Sequence, residues 1–540
     1  MRRFLKATAQ TTLATVILAC LLEIAFRMAG QPPGANRFAE RVILREHLSF
    51  KKPKGEFRIF TFGESTMHGA HYGPTSSPAR WLEKYLHDFL PGRNIRVINF
   101  ARIGRGSHFA YKTFREVSVY QPDLVLVYTG HNVFLPRNRK SDVESERRKL
   151  HRGLRHWQMK SVFFSTCYRW VIQKQMKRWG EKLEDQMEFP VIETAPLGFG
   201  PEQVTPRHSP VYRENVEFFK EGILDIKKFA DERTVPVLFL KPVSNLKDFA
   251  PYESLHLKKL SPADLSQWEK FYREGKRREA RGDFEGSEAA YRGAEAIDDT
   301  YADLSFRLGQ MDFRRGNFQK AREHFEAARD NDAIIFRATR EILEALEDLA
   351  RKENLQLWDT ERALVPFFPG GIPGEPVVED NVHFSIEGQA RVARGVAGEL
   401  ARRNWIAPRD QWQFQKERPF EEMARELAIG PELLFSADLK MVHYFGSRFP
   451  NRVRFARKAL GIHPRDPRAL RHLAWTYWLM GRKARALRVY QVLREVDPQS
   501  FDEIFSNLDR LKKRLDDYGA SPLTENLQGM IKSGFLGRPK

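Results

Sequence analysis

The stretch from Phe57 to Gly69 constrains the fold of this chain most. Six strand-forming residues, FRIFTF, run into Gly63, and Glu64 and Ser65 follow at once. A short apolar strand that ends in a glycine turn is typical of an α/β sheet. Open α/β sheets place ligands and nucleophiles just beyond the carboxyl ends of their strands. Ser65 is therefore a candidate nucleophile.

The chain beyond this stretch alternates strand-like and helix-like segments. The predicted strands cover residues 95–100, 122–129, 235–240 and 355–358, and the predicted helices cover residues 78–90, 107–120, 216–230, 339–352 and 386–403. The third strand, in PDLVLVYT, is a continuous apolar run, as expected where both faces of a strand are covered. Strands that alternate with helices predict a doubly wound parallel α/β sheet.

Four short blocks near the ends of these segments carry candidate chemistry. They are Gly63-Glu64-Ser65, Gly104 in the loop after Asn99, Gly130-His131-Asn132, and Asp380-Asn381-Val382-His383. In this order they resemble the SGNH (GDSL-type) hydrolase superfamily, with Glu64 where that family usually has Asp. The loop PVSNLKD at 242–248 is similar to one in membrane-linked bacterial members. The resemblance implies a flavodoxin-like sheet that carries a serine esterase or acyltransferase.

The resemblance also implies a role for each matching residue. Ser65 would attack the acyl carbonyl, His383 would take its proton, and Asp380 would orient and stabilise the imidazole. The backbone N–H groups of Ser65 and Gly104 and the side-chain amide of Asn132 would bind the oxyanion. This chemistry needs no metal and no organic cofactor. Two further positions after the strand at 235–240 are candidates for substrate binding, Asn245 and Lys247, and Ser385 is predicted to cap the last helix of the sheet domain.

The amino terminus predicts a membrane anchor. MRRFLK is basic, and residues 13–26 are apolar apart from Thr15 and Glu23. With its flanks, at 10–30, the segment reaches the length of a spanning helix, and the basic head favours a cytoplasmic amino terminus. A cleaved signal peptide and a lipoprotein site at Cys20 are the alternatives. The net charge of +20 favours an anionic neighbour such as a membrane or an acidic polymer; no nucleic-acid motif occurs.

Residues 136–190 form a basic, aromatic-rich insertion that includes HRGLRHWQMKSVFFSTCYRWVIQKQMKRWG. Aromatic side chains among Lys and Arg at helical spacing are typical of an interfacial helix beside anionic lipid. A lid over the site and helices packed on the core with a solvated basic face remain alternatives. The two cysteines, Cys20 and Cys167, imply neither a disulfide framework nor a cysteine metal site.

Residues 261–333 contain an internal repeat. Five positions recur with an offset of 34 residues, the period of tetratricopeptide repeats: Gly275, Gly282, Phe284, Tyr291 and Ala294 return as Gly309, Gly316, Phe318, Phe325 and Ala328. Two units are too few to be stable alone and should stack on the α/β body. Two more helical pairs are predicted at 439–464 and 466–498, and a capping helix at 501–515.

These features predict the following organisation: a cytoplasmic terminus at 1–9, an anchor at 10–30, a linker at 31–54, the hydrolase domain at 55–260 and 334–405, the repeat insertion at 261–333, a helical carboxyl-terminal region at 406–520 and a tail at 521–540. The expected function is cleavage of a short O-acyl ester on a glycan or lipid outside the cytoplasm, which would be the periplasm if the cell is Gram-negative. Acyl transfer by the same site is the first alternative. A non-catalytic scaffold that recruits protein partners through its repeats is the second.

Overall fold

The structure is a computed structural model that describes residues 17–25, 28, 35–140, 161–179, 203–445 and 449–499. The described chain forms two compact units, and the second begins at Ile429. The predictions for residues 1–9, the capping helix at 501–515 and the tail at 521–540 lie outside the described residues, as do parts of the anchor and of the basic insertion.

The first unit is built on five parallel strands: β1 (Glu56–Gly63), β2 (Asn94–Asn99), β3 (Leu124–Tyr128), β4 (Val237–Leu240) and β5 (Leu357–Trp358). Their spatial order is β2-β1-β3-β4-β5, the flavodoxin-like order of doubly wound sheets. Each predicted strand is present, and its ends differ from the prediction by one or two residues. The chain leaves β1 towards β2 and returns on the other side as β3, so a crevice opens at the carboxyl ends of β1 and β3.

The helices of the first unit are α1 (residues 17–25), α2 (Arg37–Arg45), α3 (Ser65–His68), α4 (Pro78–Phe89), α5 (Ser107–Val117), α6 (Val162–Trp179), α7 (Pro210–Asp231), α8 (Pro262–Ala280), α9 (Phe284–Glu295), α10 (Ala302–Arg314), α11 (Phe318–Asp330), α12 (Arg340–Lys352), α13 (Thr360–Leu364), α14 (Ile386–Arg402) and α15 (Phe420–Glu426). Helices α4 and α14 pack together on one side of the sheet, and α5, α7 and α12 pack on the other. Among the described residues, none of the helices combines the length and the apolar character that a membrane crossing requires.

Helix α2 lies within the segment predicted to be a linker. Asn36 caps it by accepting hydrogen bonds from the N–H groups of Phe38 and Ala39, as asparagine commonly does at a helix start. Val42 and Ile43 are buried in the main hydrophobic core. The polar residues around this stretch suggested a solvated connection, but its apolar side chains recur at helical spacing and cover the sheet.

The repeat insertion consists of two helical pairs, α8 with α9 and α10 with α11. Equivalent glycines allow the same close approach in both pairs. A Cβ at Gly275 would lie 2.4 Å from the ring of Tyr291, and a Cβ at Gly309 would lie 2.7 Å from the ring of Phe325. The 34-residue spacing read from the sequence therefore corresponds to repeated packing.

The second repeat packs on loops of the α/β body. Phe325 and Ala321 share a hydrophobic cluster with Leu246 and Ile372. Arg322 bonds Glu361 at 2.8 Å. These contacts give the two repeats the neighbour that an isolated pair would lack.

Residues 406–428 belong to the first unit, although the carboxyl-terminal region was predicted to start at 406. The backbone N–H of Gln413 donates to the carbonyl of Phe89 at 2.8 Å, and Phe420 stacks on Trp81 with ring centroids 5.0 Å apart. The second unit, as far as it is described, consists of two helical pairs: α16 (Pro431–Tyr444), α17 (Phe449–Ile462), α18 (Pro467–Leu479) and α19 (Lys483–Val496).

Candidate active site

Ser65 lies at the start of α3, directly beyond the carboxyl end of β1. Gly63 makes this turn possible, because a Cβ there would lie 2.2 Å from the carbonyl oxygen of Tyr128 on β3. Ser65 is the first residue of its helix, and the first N–H groups of a helix have no partner within it. The Ser65 hydroxyl and backbone N–H therefore both lie at the crevice between β1 and β3.

Asp380 and His383 lie on a loop that folds back on itself before α14. The N–H of Glu379 donates to the carbonyl of His383 at 2.8 Å, and the Ser385 side chain caps α14 by accepting from the N–H of Gly388 at 3.0 Å. The capping role predicted for Ser385 is present in the structure. The cap and the backbone bridge together fix the loop that presents the imidazole.

The structure brings Ser65, His383 and Asp380 into one hydrogen-bonded chain. His383 Nε2 lies 2.7 Å from Ser65 Oγ, and His383 Nδ1 lies 2.6 Å from Asp380 Oδ2. All three side chains are buried. Thr66 adds a link between the two loops, because its hydroxyl donates to the carbonyl of Val382 at 3.2 Å. Residues 318 positions apart thus meet in the geometry of a nucleophile, a base and an orienting acid.

The Asp380 carboxylate is fully engaged. Oδ1 accepts from the backbone N–H groups of Val382 and His383, and Oδ2 accepts from His383 and His71. Burial alone would raise its pKa, but the nearby His383 and His71 hold the pKa of Asp380 well below the ordinary range. An ionised carboxylate only accepts hydrogen bonds, so His383 carries its proton on Nδ1 and offers Nε2 as the acceptor for the Ser65 proton.

His71 contacts the carboxylate of Asp380 beside the imidazole ring of His383. Its Nε2 lies 2.8 Å from Asp380 Oδ2, and its ring centroid lies 4.4 Å from that of His383. Burial lowers the pKa of His71 most, and the neighbouring His383 lowers it further. The ring is therefore a neutral donor to Asp380.

Glu64 connects the nucleophile to the loop that follows β3. Its Oε1 accepts from the Thr129 hydroxyl and the Gly130 N–H, and its Oε2 accepts from the N–H groups of His131 and Asn132, all within 3.1 Å. The carboxyl group is completely buried, and burial raises its pKa to about 7 despite these four donors. The residue next to Ser65 therefore sets the position of the loop that carries Asn132.

The loops predicted to supply the oxyanion donors lie side by side. Asn132 Nδ2 donates to the carbonyl of Arg105 at 3.3 Å, next to Gly104. The side-chain amide of Asn138 bridges both loops, donating to the carbonyls of Gly104 and Asn132. Gly104 has a φ of +68°, a conformation that favours glycine. Sequence reasoning did not single out Asn138, since its role depends on two loops meeting in space.

Asn245, predicted to face the substrate, is completely buried. Its side chain donates to the carbonyl of Val378 and accepts from the N–H of Asp248, and its backbone N–H donates to the carbonyl of Asn381 at 2.9 Å. These bonds brace the loop that carries Asp380. Lys247 pairs with Asp248 at 2.6 Å.

Three other histidines near the site in sequence serve the fold. His131 accepts from the N–H of Ala338 and lies 3.3 Å from the Tyr128 hydroxyl, and burial lowers its pKa to about 3. His108 bonds the carbonyl of Phe218, and His68 is buried in α3. None of the three is within the hydrogen-bonded chain of Ser65, His383 and Asp380.

His71, together with Asp380 and His383 of the triad, makes a donor set that could hold a metal ion. One ligand atom from each of His71, Asp380 and His383 lies within 4.8 Å of the others. Two imidazoles and a carboxylate suit Zn²⁺. A metal ion bound to these side chains would replace the hydrogen bond between His383 Nδ1 and Asp380 Oδ2. Metal binding would therefore compete with the hydrogen-bonded chain of Ser65, His383 and Asp380.

One comparison with known proteins identifies part of the chain. The sequence model of the tetratricopeptide repeat family matches residues 468–500, which correspond to α18 and α19 and to the pair predicted at 466–498. No curated protein matches the chain. The matched region is a short repeat of the kind that forms partner-binding surfaces. The chain therefore carries a tetratricopeptide repeat at residues 468–500.

Proposed function

We propose that the chain is a serine hydrolase of SGNH type that cleaves O-acyl esters, with acetyl or another short acyl group, on a glycan or lipid. The observation that supports this most is the continuous relay from Ser65 Oγ through His383 to Asp380. The flavodoxin-like strand order and the position of Ser65 at the β1–β3 crevice agree with it. The net charge of +20 suits an anionic glycan or lipid surface.

In this proposal Ser65 Oγ bonds to the acyl carbon as its proton moves to His383 Nε2. The ionised Asp380 stabilises the imidazolium that results. The backbone N–H of Ser65, together with donors from the Gly104 and Asn132 loops, would hold the negative oxygen, each donor being worth about 3–4 kcal/mol of barrier. His383 then returns the proton to the departing alcohol, which leaves an acyl-Ser65 ester for water to cleave.

An acceptor hydroxyl could take the place of that water, and the product would then be a transferred acyl group. The site geometry is the same for both outcomes, so transfer is the close alternative. Supplying a sugar acceptor with an acyl donor and measuring the acylated sugar by mass spectrometry separates the two. A product that requires Ser65 and the acceptor would establish transfer.

A second candidate function is supported by the family match. A tetratricopeptide repeat at residues 468–500, with two further helical pairs at 262–330, favours a scaffold that binds protein partners. In that case the hydrolase-like fold would serve binding alone. We place the chain, in either case, at a membrane with its folded body outside the cytoplasm, on the strength of its apolar amino-terminal segment and basic head.

Hydrolysis of p-nitrophenyl acetate by the full-length chain tests the proposal. Ser65→Ala and His383→Ala should each abolish turnover above background. Ser287→Ala is the matched control, because Ser287 is another buried serine whose hydroxyl bonds only within the first repeat, to Gly275. No turnover by the wild type, or equal turnover by Ser65→Ala, would contradict the hydrolase proposal and favour the scaffold function.

A further inference from the structure

Helix α6 exposes several large apolar side chains and turns a charged side chain inward. Phe164, Trp170 and Val171 are 46%, 58% and 43% exposed, respectively. Arg169 points inward instead, where its guanidinium pairs with the buried Glu40 of α2 at 2.8 Å. A helix on a water-facing surface normally turns its charges outward and its aromatic side chains inward. The outward side of α6 is therefore suited to an apolar environment.

Helix α1 joins α6 through Glu23. The Glu23 carboxylate accepts from the Ser161 hydroxyl at 2.8 Å and from the N–H groups of Val162 and Phe163 at 3.1 and 3.0 Å. It thus caps the amino terminus of α6, where a negative charge is favourable. This contact gives a role to the acidic residue in the apolar segment.

The exposed side of α1 continues the apolar character of α6. Its large side chains are half exposed, with values between 51% and 58%, and they are Ile17, Leu18, Leu21 and Ile24. We call these four side chains, taken together with Phe164, Trp170 and Val171, the outer apolar surface. Apolar surfaces of this kind are rare on water-soluble monomers and mark contact with a membrane or a partner.

We propose that the outer apolar surface binds an anionic lipid bilayer, with α6 lying at the boundary between headgroups and acyl chains. Lipid fits better than a protein partner for two reasons. Four of its side chains, on α1, belong to the apolar sequence run at 13–26. Lys174 also lies 4.1 Å from the Trp170 ring, and an aromatic ring beside a cation is typical of a membrane interface.

This proposal goes beyond the proposed function, because it holds for an enzyme or a scaffold alike. An anchor at the amino terminus would tether the body at one point, whereas α6 adds a second contact more than 130 residues later in the chain. Two contacts restrict how the body can rotate over the membrane. The test therefore has to report on α6 itself and must not depend on activity.

Cys167 provides a native probe position, because it is exposed on the outward side of α6. The full-length Cys20→Ser chain would be labelled at Cys167 with an environment-sensitive fluorophore and placed in nanodiscs of phosphatidylcholine with phosphatidylglycerol. We expect a blue-shifted emission that spin-labelled lipid quenches and aqueous iodide does not. A second probe, in a Cys20→Ser, Cys167→Ser, Glu285→Cys chain, reports the exposed repeat surface and should show the opposite pattern.

Substitutions that place negative charge on the outer apolar surface provide the variants to compare with the unsubstituted surface. Trp170→Asp with Val171→Asp should reduce lipid quenching of the Cys167 probe to the level of the repeat probe, and Lys174→Glu should reduce it only where phosphatidylglycerol is present. A wild-type probe that iodide quenches and lipid does not would overturn the proposal. Crosslinking of Cys167 to a second copy or to another protein in the nanodisc, with no lipid quenching, would overturn it as well.

Discussion

Replacing Glu64 with glutamine tests how the nucleophile and the Asn132 loop are held together. Burial raises the pKa of Glu64 from its ordinary 4.5 to about 7. The protonated form is thus favoured in the folded chain, and the stability that it contributes is complete below pH 4.5 and lost as the pH rises through about 7. Each tenfold change in proton affinity corresponds to about 1.4 kcal/mol, so the loss amounts to about 3 kcal/mol.

Glutamine cannot ionise, so Glu64→Gln should show none of this pH dependence. Urea unfolding of both chains at pH 5 and pH 8 measures it. The variant should gain about 3 kcal/mol relative to the wild type between the two pH values. Parallel behaviour of the two chains would contradict the buried, proton-binding carboxyl group, and a relative loss in the variant would mean that the four donors keep Glu64 ionised.

The Glu64→Gln substitution should lower the activity. The glutamine NH₂ must face two of the four donors, and each buried donor left unpaired costs about 1–3 kcal/mol. The loop carrying Asn132 should move to relieve this. Turnover of p-nitrophenyl acetate should fall by about tenfold or more at pH 8, where the stability of the variant relative to the wild type is higher than at pH 5. Unchanged turnover would refute the idea that Glu64 positions this loop.

Three further predictions concern the turn before Ser65, the second repeat and the candidate metal site. Gly63→Ala should destabilise the fold by several kcal/mol in urea unfolding, since its Cβ would meet the Tyr128 carbonyl oxygen at 2.2 Å; a stable, active variant would contradict the turn. Gly309→Ala should lower esterase turnover because Phe325 packs on the loops beside the site. The equivalent Gly275→Ala should destabilise its repeat in urea unfolding and leave turnover nearly unchanged, and equal effects of both would exclude the link. Micromolar Zn²⁺ should inhibit turnover reversibly, and His71→Phe should weaken that inhibition at least tenfold; inhibition unaffected by the substitution would place the ion elsewhere.

The sheet and the triad could be predicted because their signals are local. The five strands are apolar runs bounded by Gly, Pro or Asn, and their alternation with helices predicts a parallel sheet. The order of the strands was expected only from the family resemblance. Ser65, Asp380 and His383 lie in short blocks of recognisable composition. Their hydrogen-bonded geometry in the structure agrees with the roles that the resemblance implied, although their catalytic function stays a proposal.

The remaining features could not be read from the sequence, because they depend on which loops meet in space. The bonds from Glu64 to the loop after β3 and from His71 to Asp380 join residues 65 or more positions apart. Asn245 is of a residue type common in pockets, yet it is completely buried, and its bonds to Val378 and Asn381 brace the Asp380 loop. Helix α2 was missed because polar neighbours masked a short amphipathic pattern.

The sequence also did not predict which side of α6 faces inward. Its aromatic and basic residues were compatible with a lid, an interfacial helix or ordinary core packing. Among the described side chains of α6, the pairing of Arg169 with Glu40 and the burial of Val162 show which side faces inward. Spacing along a helix defines its two sides, whereas the partner on another element decides which one is buried.

Labelling with a fluorophosphonate, followed by peptide mapping, tests the central claim most directly. These reagents bond only to a serine that a neighbouring base activates. The account predicts a single modified residue, Ser65, and loss of labelling in His383→Ala with the fold retained. Absence of labelling in the folded wild type, or modification of a different serine, would contradict an active triad of Ser65, His383 and Asp380.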